Sequence, residues 1–211
     1  MPVEAPLYPV NLVLDGRPVL VVGGGRVAAQ KVDELVRCRA RVHVVAPRID
    51  EPLASRDDVT RDLRPYRDGE IAGYRLGITA TDDPDVNRAV HEQGEAAGVW
   101  VNSADDPANC AFTLPSRVRR GPLLATFSTG GHSPALSTWL RRRFEAELGP
   151  EYLELLELLA DERQRVRAQG RSTEGLDWQG ALDSGILDLV REGRAAEAKE
   201  RLQACLSSSS G

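Results

Sequence analysis

The sequence predicts an α/β fold, a doubly wound parallel sheet with helices on both faces, followed by a smaller and mainly helical part. Three observations carry this. Short apolar strand-like runs alternate with segments of helical period over the first half of the chain, the pattern of βαβ units. The stretch VLVVGGGRVAAQKV, from Val19 to Val32, sets three glycines between an apolar run and an amphipathic one. After about Ala111 the alternation stops and leucine-dense helical patterning takes over.

Each element has its own signal. Val19–Val22 is a continuous apolar run, as a parallel strand buried on both faces requires. From Arg26 to about Arg39, the residues Val27, Ala28, Val32, Leu35 and Val36 share one helical face. RVHVVAP reads as a second strand, stopped by Pro47, and TRDLRPY as a weak third. YRLGITAT is a fourth strand, Pro84 opens a helix to about Ala97, and GVWVNSA is a fifth strand. PLLATFSTGG reads as a strand that ends in a glycine turn. Ser133 can cap the next helix, with Pro134 at its first position, where a missing N–H costs nothing. EYLELLELLADERQRVRAQ is strongly helical, and two short helices follow near Gln179–Val190 and Ala195–Cys205. The resulting division is 1–112, a nucleotide-type domain; 113–148; a helical segment, 149–206; and a frayed tail, 207–211.

Composition excludes several function classes. A formal net charge of −5 gives no electrostatic reason to expect nucleic acid or an anionic membrane as partner. No apolar run approaches the roughly 20 residues of a membrane span. The N-terminus MPVEAPLYPV lacks the basic and apolar regions of a secretory signal. Cys38, Cys110 and Cys205 are odd in number and widely spaced, which argues against a disulfide framework or zinc site and fits a cytoplasmic location. Each is expected to serve as a small buried hydrophobe. No His, Cys and carboxylate cluster points to a permanently bound metal.

The glycine stretch explains itself chemically. Gly23, Gly25 and Ala28 form G-x-G-x-x-A directly after a strand and at the opening of a helix, the Rossmann-like arrangement. The first glycine permits the tight turn, the second lets backbone approach a pyrophosphate, and the small third residue lets helix pack on strand. The helix start then offers free N–H groups and a positive dipole end to phosphate. A dinucleotide is therefore expected on Gly23, Gly24 and Gly25. The other half of the fingerprint, an acidic residue about twenty positions on, is missing at the end of strand two, where Ala46, Pro47 and Arg48 stand. Arg48 could meet the 2′-phosphate of NADP or simply be solvated, so these residues alone leave NAD and NADP open.

Three more stretches fall at or near the carboxyl ends of strands, where ligands of such sheets bind. In TATDDPDVN, Asp82 or Asp83 before Pro84 is a helix-capping signal, and Thr81 and Asp82 are also placed for cofactor contact. In VNSADDP, Asp105 and Asp106 are candidate acid–base carboxylates or residues of a turn closed by Pro107. In FSTGGHSPALS, Ser128, Thr129, Gly130 and His132 form either an anion-binding turn or a plain one.

VLVVGGGRVAAQKV, ATDDPDVNRAV, VNSADDPANCAFTLPS and LLATFSTGGHSPALSTWLR occur in this order, and with them the chain resembles the precorrin-2 dehydrogenase / sirohydrochlorin ferrochelatase family, the siroheme-synthase-type enzymes. The resemblance covers about Leu7 to Leu148 closely and extends beyond that only in length and helical character. It implies oxidation of precorrin-2 to sirohydrochlorin with hydride passing to NAD. In some members ferrous iron (Fe2+) is then inserted to make siroheme. It also implies a homodimer, with 113–148 as the dimerisation segment and the active cleft lying between the segments. The family's shared aspartate, in V-N-x-x-D-x-P, falls on Asp105 rather than Asp106. Its cofactor contacts fall on Arg26, Val27, Pro47 and Arg48, and its members use NAD with similar strand ends. A serine that is phosphorylatable in some members is replaced here by Thr129.

For that reaction a cleft carboxylate can take the proton that leaves with the hydride, and chelation would also need an acceptor for pyrrole N–H protons. Arg117, Arg119 and Arg120 are candidates to meet the carboxylates of the macrocycle, or form a solvated basic turn. His132 is a candidate iron ligand or proton carrier, or an exposed turn residue. Two other classes remain: a non-catalytic NAD-sensing module, and an NAD(P) dehydrogenase of another small substrate. The latter lacks a Tyr-x-x-x-Lys pair, since the only lysines are Lys31 and Lys199.

Overall fold

The computed structural model describes residues 3–104 and 106–208. Contacts divide them into two compact units: one of residues up to Leu114 with Gly130–His132, and one of Pro115–Thr129 with the chain from Ser133 onward.

The first unit is built on five parallel strands, β1 (Pro18–Val22), β2 (Arg41–Ala46), β3 (Thr60–Leu63), β4 (Leu76–Thr79) and β5 (Trp100–Ser103), in the order β3-β2-β1-β4-β5. Strand alternation sorts its apolar side chains into two cores. Val19, Val21, Val42, Val44, Leu76 and Ile78 face helix α1 (Arg26–Arg37), which contributes Ala28, Val32 and Leu35. Leu20, Val22, Val45 and Val101 face helix α2 (Pro84–Ala97), which contributes Val90. The continuous apolar reading of β1 is thus the consequence of burial on both faces. β3 read weakly because it is an edge strand whose four residues are all at least partly exposed. α2 is capped by Asp83, which accepts from the N–H groups of Asp85 and Val86, and ends at Gly98 with φ of 68°. The strand order reverses between β1 and β4, so the crevice at their carboxyl ends is the topological switch point.

The second unit begins with an antiparallel pair, β6 (Ser116–Arg120) and β7 (Leu123–Phe127). A strand at 116–120, instead of a basic turn, is a departure from the sequence expectation. Its period of two is masked because Val118 is the only apolar residue among SRVRR, and it is buried. Helix α3 (Pro134–Glu147) packs on the pair through Phe144 against Phe127. Its cap is Ser133, whose hydroxyl accepts from Leu136 N–H, with Pro134 at the first position. Helices α4 (Glu151–Ala168), α5 (Trp178–Ala181), α6 (Leu187–Arg191) and α7 (Ala195–Ser208) complete the unit.

The helix expected near 179–190 is broken by a π-type turn, Leu182–Ile186, in which Gly185 takes φ of 88°. The helical segment and most of 113–148 lie in one unit, and the tail read from 207 is helical through Ser208, with 209–211 outside the described residues. Inside this unit Glu162 of α4 is only 2% exposed. It accepts from Arg165 Nε at 2.9 Å and from Gln203 Nε2 of α7 at 3.1 Å. Arg165 beside it holds its carboxyl below the usual glutamate range.

Candidate functional site

The three glycines differ in why they are glycine. Gly23 has φ of 128°, and a Cβ there would lie 2.3 Å from the Ala80 carbonyl oxygen. A Cβ on Gly24 would lie 2.1 Å from the Arg48 carbonyl oxygen. These two are demanded by the packing of the turn against the ends of β4 and β2. Gly25 has an ordinary φ of −88°, and a Cβ there would meet nothing within 4 Å. The fold alone does not need glycine at this position, whereas a ligand that came up against the backbone there would.

The surroundings of Gly25 suit a phosphate. It is the N-cap of α1 and makes no side-chain cap. The first helical bond runs from Ala29 N–H to the Gly25 carbonyl, so the N–H groups of Arg26, Val27 and Ala28 have no partner within the helix. The first turn of α1 holds no acidic residue, and Arg26 is exposed at its start. The residues present therefore fit a dinucleotide pyrophosphate.

Pro47 and Arg48, both exposed, follow β2 directly and pack beside this turn. The turn is tied to the chain on either side of these two residues: Gly23 N–H donates to Val45 O at 3.0 Å, and Asp50 N–H to Gly24 O at 2.9 Å. Arg48 is paired with Asp50, Nε to Oδ1 at 2.9 Å. On the other side of β1, Thr81 is engaged in the α2 cap, donating to Asp83 O and to Asn87 Oδ1, while Asp82 is exposed. The structure thus gathers the glycine turn, Pro47–Arg48 and Thr81–Asp82 along one edge of one sheet.

Asp105 lies outside the described residues. Thr79 and Ser103, paired across β4 and β5, share a buried hydroxyl–hydroxyl bond of 2.8 Å, and Ala104 N–H donates to Thr79 O. Asp106 opens a short 3-10 turn, Pro107–Asn109, and its carboxylate accepts from Asn109 Nδ2 at 2.6 Å. Cys110, expected as a small hydrophobe, is instead a polar clasp. Its thiol lies 3.3 Å from the carbonyls of Ser103 and Asp106, and it accepts from Asn102 Nδ2 and Ser103 N–H, each at 3.3 Å. Burial pushes the thiol pKa up, which keeps its proton available to those carbonyls. Asn102 adds a bond to Phe112 O at 2.8 Å. Sequence reasoning missed this clasp because cysteine patterning points to metals and disulfides, not to a single sulfur bridging two ends of a loop.

The remaining candidates are placed as follows. Gly130 and Gly131 have φ of 59° and 83°, the Gly130 carbonyl accepts from Val3 N–H, and His132 is exposed. Thr129 accepts from Ser133 N–H at 3.0 Å and from the buried Ser137 hydroxyl at 3.3 Å, so its side chain braces the start of α3. Ser128 is exposed and Arg117 half-buried. Arg120 donates to the carbonyls of Leu148 and Glu145, which satisfies the carboxyl end of α3, and to its neighbour Arg119 O. Among the described residues, no group of three or more His, Cys, Asp and Glu side chains could hold a metal, and no helix is long and apolar enough to cross a membrane.

Comparison with known proteins adds four findings. A family model described as "Putative NAD(P)-binding" matches residues 10–116. The siroheme synthase of Nitrosomonas europaea is 36% identical over 207 residues, which span 95% of this chain and 44% of that protein. The siroheme synthase of Nitrosococcus oceani is 37% identical over 203 residues, 94% of this chain and 43% of that one. The chain therefore spans less than half the length of these curated relatives. Among solved structures, SirC, a precorrin-2 dehydrogenase, shares the fold with a TM-score of 0.73 at 23% identity, covering 94% of this chain and 100% of that one.

Proposed function

The chain belongs to the NAD(P)-binding family whose model spans residues 10–116, and from that premise we propose that it oxidises precorrin-2 to sirohydrochlorin with NAD as hydride acceptor. The carrying observation is the reach of the similarity. The siroheme synthases match over 94–95% of this chain, so the likeness runs through the second unit as well as the first. A generic dinucleotide domain would share only the first.

Within this reading the glycine turn and the start of α1 hold the pyrophosphate. NAD, when bound, supplies the two-electron acceptor. The substrate loses a hydride from one centre and a proton from its neighbour, giving sirohydrochlorin, NADH and H⁺. Asp105 is the proton acceptor. Its neighbours in sequence support this: Ser103 is bonded to Thr79, and Ser103 and Asp106 are both held by Cys110, which Asn102 also meets. Asp106 has its carboxylate engaged by Asn109 and plays a local part. Arg117 is the candidate for the substrate's carboxylates. Arg120, spent on α3, contributes through the helix it caps. The working form is a cytoplasmic homodimer.

Purified protein, enzymatically generated precorrin-2 and NAD should yield NADH, read by its absorbance. Asp105→Asn should lower kcat by roughly 10²–10⁴ with NAD affinity kept, and Asp106→Asn should be much milder. NAD binding with no turnover of precorrin-2 would mark a sensing module, and turnover of a different small substrate would mark another dehydrogenase. The name of the relatives favours a second activity, since siroheme is the iron-loaded product. Ferrous iron added after the first step should then give the siroheme spectrum, at a rate that also falls in Asp105→Asn.

A further inference from the structure

The acidic residue that dinucleotide sites place at the end of the second strand is absent from the end of β2, where Ala46, Pro47 and Arg48 stand. The structure brings one there by another route. The chain leaves β2, passes the glycine turn, and is fastened to it by the bond from Asp50 N–H to Gly24 O at 2.9 Å. The fit is close on both sides, since a Cβ on Gly24 would fall 2.8 Å from Ile49 Cα. Asp50 is thereby held one residue from Gly25, the glycine that the fold leaves open. Its carboxylate pairs with the Arg48 guanidinium, Nε to Oδ1 at 2.9 Å and Nη2 to Oδ2 at 3.4 Å. Both side chains keep solvent access, at 85% for Arg48 and 45% for Asp50, so the pair is a surface one beside the ligand path and not part of the core.

We infer that Asp50 sets the choice between the two nicotinamide dinucleotides: its carboxylate receives the adenosine ribose hydroxyls, and by neutralising Arg48 and repelling a 2′-phosphate it excludes NADP. The inference rests on the dinucleotide site proposed above and deepens it. The physical grounds are short. A ribose diol has two donors, and a carboxylate is the acceptor that dinucleotide sheets use at this edge. A 2′-phosphate would bring about two negative charges to a position that already holds one. Like charges brought this close repel even in bulk water. Arg48, the one cation in the stretch from Ala46 to Asp50, is occupied by Asp50 and does not offset this. The residue lies four positions past the end of β2, and for that reason a search at the strand end does not find it.

Equilibrium binding of NAD and NADP, by calorimetry on the full chain, tests this without any turnover. Wild type should prefer NAD. Asp50→Asn should bind NADP about tenfold more tightly than wild type and NAD more weakly, with an unchanged melting temperature because the side chain is at the surface. Adding Arg48→Ala to Asp50→Asn should remove the gain for NADP. An NAD-to-NADP affinity ratio that is the same in Asp50→Asn as in wild type overturns the inference while leaving the dinucleotide site standing. A wild type that binds neither dinucleotide overturns the site and the inference together.

Discussion

The three adjacent glycines make a clean experiment on what a residue is for. Gly24→Ala drives a methyl into the Arg48 carbonyl, and overpacking of this kind costs about 1–3 kcal/mol. Gly25→Val places its Cβ in open space at an ordinary φ, so it should cost the fold no more than the modest penalty of a valine at an N-cap while NAD affinity falls sharply. Calorimetry on both variants should therefore separate them in opposite senses, and a Gly25→Val protein that binds NAD normally would remove the site. Cys110 gives a second test at this scale. Cys110→Ala deletes four polar contacts around one sulfur. It should speed amide exchange at Ala104 and Asp106, and lower kcat about ten- to a hundredfold with little change in the KM for NAD. Serine should restore part of the rate, whereas valine, which fills the volume without the bonds, should not. A rate restored by valine would reduce Cys110 to packing.

Among the elements, α4 and α7 are joined by a buried charge. Glu162 is 2% exposed and Arg165 is 40% exposed at the side chain. The asymmetry predicts unequal variants. Arg165→Ala leaves a buried carboxylate held by Gln203 Nε2 at 3.1 Å without its guanidinium partner, and should cost about 3–5 kcal/mol. Glu162→Gln leaves an arginine that water can solvate and should cost about 1.5–3 kcal/mol. Urea denaturation followed by helical circular dichroism measures both. The pH dependence follows from the sign of the shift. Arg165 and Gln203, with Lys199 of α7 also nearby, depress the folded-state pKa of Glu162. Its contribution is complete above the unfolded value, about pH 4, and is lost as pH falls through the folded one. In Glu162→Gln the acid limb of the stability curve should flatten. An equal slope in both proteins would show that other carboxylates govern it.

At the scale of the whole molecule, α3 leaves Leu136 and Trp139 exposed at 47% and 55%, with Arg143 stacked over the indole at 5.7 Å. An apolar stripe of this kind is suited to a subunit interface. Sedimentation should find wild type at twice the 23.0 kDa chain mass, and Trp139→Glu near that mass itself. Wild type sedimenting as a single chain would dispose of the dimer. The same measurement with NAD present shows whether cofactor binding and assembly are linked.

Sequence alone determined the parallel sheet, both of its helices and the glycine turn, because each is written in local period or in a short motif. Val19–Val22 must be buried on two faces, and G-x-G-x-x-A must follow it, whatever the rest of the chain does. The capping roles of Asp83 and Ser133 were legible for the same reason: the residues that make them lie within three positions of one another. Tertiary structure decided what depends on residues far apart. It made a strand of SRVRR by pairing it with Leu123–Phe127, and turned Arg120 into a cap for a helix that ends 27 residues later. It assigned Gly24 to packing, through a carbonyl 24 residues from Gly24, and left the space at Gly25 open. It joined Cys110 to the end of β5, and returned Asp50 to the glycine turn. Such pairings carry no local signal, because a hydrogen bond between distant residues is specified by how the sheet brings two chain segments together and not by either segment alone.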